Sequence, residues 1–185
     1  MGDALRMSLP LKREEVAKLR AGDRVLLNGK MLTGRDAAHK RLYELLQEGK
    51  ELPVSIRDET IFYVGPTPAP PGRPIGASGP TTSSRMDKYA PLLMDRGLLG
   101  MVGKGLRSRE VKDAIVRNGA VYLGATGGSG ALLSKCIKTA TVIAYEDLGA
   151  EAIRLVEVED FPTIVIIDSE GADLYEIGPK QYARL

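Results

Sequence analysis

Apolar positions along this chain change their period several times, and each change marks a predicted element. Leu9-Pro10-Leu11 leads into a short helical pattern through Glu14, Glu15 and Val16 that Gly22 ends. Arg24-Val25-Leu26-Leu27 reads as a strand closed by a turn at Asn28-Gly29. From Asp36 to Leu46 the spacing of Ala37, Leu42, Leu45 and Leu46 predicts a helix, with Gly49 just past its end. Thr60-Ile61-Phe62-Tyr63-Val64 is β-branched and aromatic, and reads as a strand. After Arg85, the positions Met86, Tyr89, Ala90, Leu93 and Met94 have helical spacing that stops at Gly97.

The second half alternates more regularly. Leu98 to Val102 is a strand candidate, and a helix is expected from Ser108 through Val111, Ile115 and Val116 to Asn118-Gly119. Ala120-Val121-Tyr122-Leu123 reads as a strand that runs into a glycine-rich loop, 124–130, and a short helix from Ala131 to Ile137. Four further strands are expected at Thr141–Tyr145, Arg154–Val158, Thr163–Ile167 and Leu174–Ile177. Strand and helix in alternation, followed by several strands, predicts an α/β fold with a mixed sheet flanked by helices rather than pure Rossmann winding. Residues 66–80, rich in Pro and Gly, interrupt the pattern; an ordered loop over a site is preferred to an interdomain linker, because too little chain precedes it for a separate domain. The 185 residues are accordingly read as one domain.

Composition narrows the function classes. No Trp and only 2 Phe make the core aliphatic. Net charge is +2, from 26 basic and 24 acidic residues that are scattered rather than gathered, so no nucleic-acid partner is expected. No apolar run approaches the ~20 residues of a membrane-spanning helix, and the first residues lack the apolar core of a signal peptide. A single cysteine, Cys136, permits no internal disulfide and no cysteine metal site from this chain alone; a soluble protein of the reducing cytoplasm is expected, with no metal ligands of its own.

The densest chemistry lies at Gly79-Pro80-Thr81-Thr82-Ser83-Ser84-Arg85-Met86-Asp87, where four hydroxyls and a guanidinium fall in five consecutive positions before an expected helix. Helix starts present unpaired N–H groups and attract anions, and a forked Arg donor adds carboxylate or phosphate recognition. Capping alone is the competing reading, with Ser84 and Asp87 spaced as a capping box. The glycine-rich loop does not fit a P-loop, because Ala131-Leu132 follows Gly130, nor a dinucleotide fingerprint, because Leu133 stands where the third glycine belongs. It reads better as a tight turn that needs positive φ, although it could still donate backbone N–H groups to an anion. Gly103-Lys104-Gly105 presents a lysine at a strand end. In Thr33-Gly34-Arg35-Asp36-Ala37-Ala38-His39-Lys40, Asp36 is the expected N-cap, Arg35 is left pointing at a ligand, and His39, the sole histidine, is read as a solvated helix-surface residue with general-base work as its alternative. No Ser-His-Asp or Cys-His partnership is available.

Taken in order, Thr33 to Lys40, Gly79-Pro80-Thr81-Thr82 with Arg85-Met86-Asp87, Gly103-Lys104-Gly105, Gly124-Ala125-Thr126-Gly127-Gly128 and Glu157 to Pro162 resemble the β subunit of two-subunit class I fumarate hydratases, with the tartrate dehydratase β subunit a close relative. The likeness covers nearly the whole chain. It implies a swivelling β/β/α domain and a hydro-lyase that adds water to, or removes it from, a C4 dicarboxylate, interconverting fumarate and L-malate. It further implies a 4Fe–4S cluster held by three cysteines of a partner α subunit, with one iron open to substrate, and an active site completed at the interface of a heterotetramer or other heteromer. By the same resemblance Arg35 and Arg85 would bind substrate carboxylates, Thr81 and Thr82 would flank the reacting carbons with Thr81 moving the proton, and Lys104 would stand near the substrate. Tartrate dehydration by the same apparatus, and a non-catalytic dicarboxylate-binding module, are the two other readings.

Overall fold

The computed structural model describes residues 4–183. Its elements are β1 (Leu5–Leu9), α1 (Arg13–Val16), β2 (Arg24–Thr33), α2 (Asp36–Gln47), β3 (Thr60–Phe62), α3 (Ala90–Asp95), β4 (Gly100–Gly103), α4 (Arg109–Asn118), β5 (Val121–Gly124), α5 (Gly130–Cys136), β6 (Ile137–Ala144), β7 (Ile153–Ile167) and α6 (Leu174–Tyr182). The seven strands form one mixed sheet ordered β1-β2-β3-β4-β5-β7-β6, and a further β2–β7 pairing closes β2, β3, β4, β5 and β7 into a barrel-like ring. Strands β2 to β5 are mutually parallel, while β7 runs antiparallel to β2, β5 and β6. The expected mixed α/β fold is therefore found.

Period-2 alternation divides the core into two layers. Phe62, Val102, Val121 and Leu123 belong to a cluster with Val25, Leu27, Phe161 and Val165, and this cluster also takes in Leu11, Val16 and Leu19 around α1. The opposite face of the same strands, through Ile61, Tyr63, Met101 and Tyr122, packs beneath Leu42 of α2, Leu93 of α3 and Ile115 of α4. Short strands buried on both faces are apolar almost throughout, and in β3 to β5 the one polar side chain besides the Tyr122 hydroxyl is Thr60, buried at the start of β3.

Several sequence expectations are corrected. Asn28-Gly29 does not end a strand: β2 continues to Thr33, and the dipeptide sits opposite a bulge where Asp160, at φ 46, is the extra residue on β7. Asn28 holds that bulge, its side-chain oxygen accepting from the Asp160 N–H at 2.9 Å. The two strands expected at Arg154–Val158 and Thr163–Ile167 are one continuous β7, because the bulge and Pro162 bend the strand without breaking its ladder to β2. Leu174–Ile177 is the start of α6, not a strand; the Asp173 carboxylate caps it, accepting from the Tyr175 N–H at 2.9 Å. Past Arg85, helix α3 begins only at Ala90, where Pro91 occupies its first turn, and a 3-10 turn over Ser83–Met86 precedes it.

Candidate active site

Four parallel strands deliver the sequence-predicted residues to one end of the sheet. Arg35 follows the last residues of β2, Lys104 follows β4, and the glycine-rich loop follows β5. Thr81 lies far from β3 in sequence, yet its N–H donates to the carbonyl of Tyr63, the residue after β3, at 2.7 Å. The intervening segment 66–80 closes on itself rather than acting as an open linker. Val64 bridges Pro80, Thr67 exchanges hydrogen bonds with Ala77, and the Ser78 N–H donates to the Gly130 carbonyl at 3.0 Å. That last contact brings the loop against the glycine-rich loop so closely that a Cβ on Gly130 would lie 2.8 Å from the Gly79 nitrogen. Carboxyl ends of parallel strands are where α/β sheets bind ligands.

Arg35 is not left to point at a ligand on its own, as the sequence suggested. It is the residue at the N-cap position of α2, Asp36 is the first helical residue, and the Arg35 Nε donates to Asp36 Oδ2 at 3.0 Å. Arg85 Nε donates to the other oxygen, Oδ1, at 2.6 Å. One carboxylate thus gathers both arginines. Glu151 adds a second anchor, with its Oε1 3.6 Å from Arg35 Nε and its Oε2 accepting from the Ala37 N–H at 2.8 Å. Burial works to raise the Asp36 carboxyl, but the hydrogen bonds from Arg35, its own backbone and Arg85 outweigh it and hold the group below the usual carboxylate range. No described residue hydrogen-bonds to the Nη atoms of either arginine, so both forks keep donors for an anion.

Lys104 and Thr82 are joined by a parallel bridge, and the lysine side chain runs alongside Gly127, where a Cβ would meet its Nζ at 3.7 Å. Lys104 has no carboxylate partner among the described residues. The loop glycines after β5 therefore do what the sequence reading gave them, turning the chain at Gly128 (φ +81), and also leave space for a lysine. Two candidate groupings result: the arginines on Asp36, and Lys104 with Thr82.

His39 is fully buried rather than solvated, which removes the surface reading. Its Nδ1 lies 3.0 Å from the Arg35 carbonyl, an atom that only accepts, so Nδ1 carries the proton. Nε2 has no partner, and the ring meets Tyr63 edge-on at 5.1 Å. Burial lowers its pKa from 6.5 to about 4, against the pull of the Arg35 carbonyl. A neutral histidine in this position orients the backbone at Arg35.

The capping-box reading of Ser84 and Asp87 also fails. Asp87 accepts from Arg107 Nε and from the Ser108 N–H, each at 2.6 Å, and the Arg107 side chain is fully enclosed. The Arg107 guanidinium lies 5.5 Å from the Tyr63 ring centroid and 4.8 Å from that of Tyr122. Sequence reasoning missed Arg107, whose only signal was a charged residue two places before a helix.

A family model described as Fumarase C-terminus matches residues 3–178. The chain belongs to this family. It is 42% identical over 181 residues to the anaerobic class I fumarate hydratase of Escherichia coli K12, covering 95% of this chain and 33% of that protein. It is 40% identical to fumarate hydratase 2 of Leishmania major, covering 88% of this chain and 29% of that one. A putative L(+)-tartrate dehydratase subunit beta from Methanocaldococcus jannaschii is 36% identical, with 95% of this chain and 93% of that one covered. The chain thus spans about a third of the fumarate hydratases it matches and nearly all of the β subunit. Among the described residues of this fumarase-family chain, no three His, Cys, Asp or Glu side chains cluster so as to hold a metal ion. No helix among them is long and apolar enough to cross a membrane.

Proposed function

We propose that this chain is one domain supplying the dicarboxylate-binding and proton-transfer residues of a hydro-lyase that interconverts fumarate and L-malate, working with a partner polypeptide in the cytoplasm. The observation that carries the reading is the convergence of Arg35, Thr81, Thr82, Arg85 and Lys104 on the carboxyl ends of β2, β3 and β4. A dianionic substrate calls for two or three cations with hydroxyl or N–H donors around it, and these residues are of that chemistry. Arg85 and Arg35 would take carboxylate oxygens on their Nη atoms. Lys104 would hold charge on the substrate, and Thr82 would orient it. Thr81 would carry the proton moved at the carbon next to the departing hydroxyl. A threonine hydroxyl is a weak base, so this role depends on cations near it.

The 4Fe–4S cluster implied by the resemblance does not fit the donors of this chain, which has one cysteine. The cluster would belong to the partner. The near-complete overlap with a chain named as a β subunit supports a two-chain arrangement and keeps tartrate dehydration as the second reading.

Anaerobic capture of the partner from native extract, with this chain as bait, tests the proposal. A complex containing iron, sulfide and a cysteine-bearing partner that interconverts malate and fumarate is expected, and side-by-side turnover of tartrate decides the substrate. A solitary protein that binds dicarboxylates without turnover would overturn the hydro-lyase reading in favour of a binding module.

A further inference from the structure

Ser83 and Tyr122 belong to neither candidate grouping, yet both are fully buried and bond to the turn that carries Lys104. Ser83 N–H donates to the Lys104 carbonyl at 2.8 Å, and Lys104 N–H donates to Ser83 Oγ at 3.0 Å. Tyr122 Oη lies 2.9 Å from Ser83 Oγ and 2.9 Å from the Gly105 carbonyl. A carbonyl can only accept, so the single phenol proton goes to Gly105 and the Ser83 hydroxyl proton goes to Tyr122. Every polar atom of the trio is then satisfied in one direction of donation. Gly103 makes this possible, because a Cβ there would fall 2.0 Å from Ser83 Oγ. Gly105, at φ +83, turns the chain away afterwards. The Tyr122 ring is itself fixed against the buried Arg107 guanidinium, and Arg107 is fixed by Asp87.

We propose that Ser83 and Tyr122 are positioning residues that clamp the Gly103-Lys104-Gly105 turn on both sides and so set where the Lys104 ammonium stands. The proposal rests on the assignment of Lys104 to the substrate site. The clamp joins the segment carrying Thr81, Thr82 and Arg85 to the lysine-bearing turn through a buried hydroxyl relay. A lysine between two glycines has little else to hold its backbone, and a displacement of about 1 Å in a positioned group costs on the order of a hundredfold in rate.

The test uses Tyr122→Phe and Ser83→Ala in the assembled complex, with Lys104→Met as the control. Tyr122→Phe keeps the ring against Arg107 but leaves the Gly105 carbonyl without its donor, so the fold should persist with a melting temperature lowered by only several degrees. Turnover should fall at least tenfold, and amide exchange at Lys104 should accelerate at least tenfold while the β4 amides stay protected. Should Ser83→Ala fail to assemble, Tyr122→Phe carries the test. Wild-type turnover in Tyr122→Phe beside an inactive Lys104→Met overturns the clamp, as does lost turnover with unchanged exchange at Lys104. Full activity in Lys104→Met would instead refute the role of Lys104, and unchanged exchange in Tyr122→Phe would then still overturn the clamp.

Discussion

Arg85 Nε lies 2.6 Å from Asp36 Oδ1, a contact that crosses 49 residues and fixes the exposed loop arginine against the start of α2. Because Asp36 Oδ2 simultaneously accepts from Arg35, both guanidiniums are tied through their Nε atoms to one carboxylate, and no described residue hydrogen-bonds to their Nη atoms. Asp36 therefore has two opposed effects: it neutralises one positive charge and it aligns two forks.

Magnitudes decide which effect wins. Arg85 and Asp36 are both in reach of solvent, so one charge at hydrogen-bond range is worth about 1 kcal/mol, near the bulk-water value. Misplacing a binding group by an ångström costs about a hundredfold, or ~2.7 kcal/mol. Asp36→Asn should accordingly lower kcat/KM for the dicarboxylate by about tenfold, with melting within a few degrees of wild type. An unchanged or raised kcat/KM would show that alignment does not outweigh the neutralised charge.

The pH dependence of stability should carry the signature of His39. Its folded pKa is about 4 against an unfolded value of 6.5, so the unfolded chain binds more protons between those values. Stability then falls as pH drops from about 6.5 to about 4, by on the order of 3 kcal/mol in total, and this contribution flattens below that. Denaturant midpoints at pH 7.5 and 5 read it directly. His39→Gln should lose less stability over that interval than wild type; an equal loss in both would place the titration elsewhere. In activity, a histidine with no path to solvent should not act as the base, so rate losses in His39 variants should follow stability.

Asp87 faces a guanidinium that solvent cannot reach, since the Arg107 side chain is fully enclosed. Removing one partner strands a buried charge, at a cost of about 3–5 kcal/mol. Asp87→Ala should thus be strongly destabilised, while the double variant with Arg107→Met should recover part of the loss. A double-mutant cycle by denaturant unfolding measures it, and additive losses would contradict the pairing.

Elements set by periodicity were legible in the sequence. Helix α2 was read to within one residue, because Leu42, Leu45 and Leu46 follow a helical stripe and Gly49 ends it. Features set by partners distant in sequence were not. Leu174-Tyr175-Glu176-Ile177 is short and largely apolar and so reads as a strand, whereas in the fold Asp173 caps it as a helix and is itself tied to Lys112 at 2.6 Å. Phe161-Pro162 looked like a break, because nothing local shows that Asp160 will bulge and let one strand close a ring. At the site, residue types that bind dianions stood out by composition. Ser83 looked like one capping hydroxyl among four, and only the fold turns it inward to Lys104 and Tyr122.

The most direct test of the account is turnover of the anaerobically assembled complex, comparing wild type with Thr81→Ala, Arg85→Ala and Arg85→Lys. All should assemble normally. Thr81→Ala and Arg85→Ala should each lose malate–fumarate interconversion by at least a hundredfold, and Arg85→Lys by at least tenfold, since a point charge does not reproduce a bidentate fork. Near-wild-type turnover in Thr81→Ala would take the proton-transfer role from that residue. Near-wild-type turnover in all three would contradict the placing of the substrate at the carboxyl ends of the parallel strands.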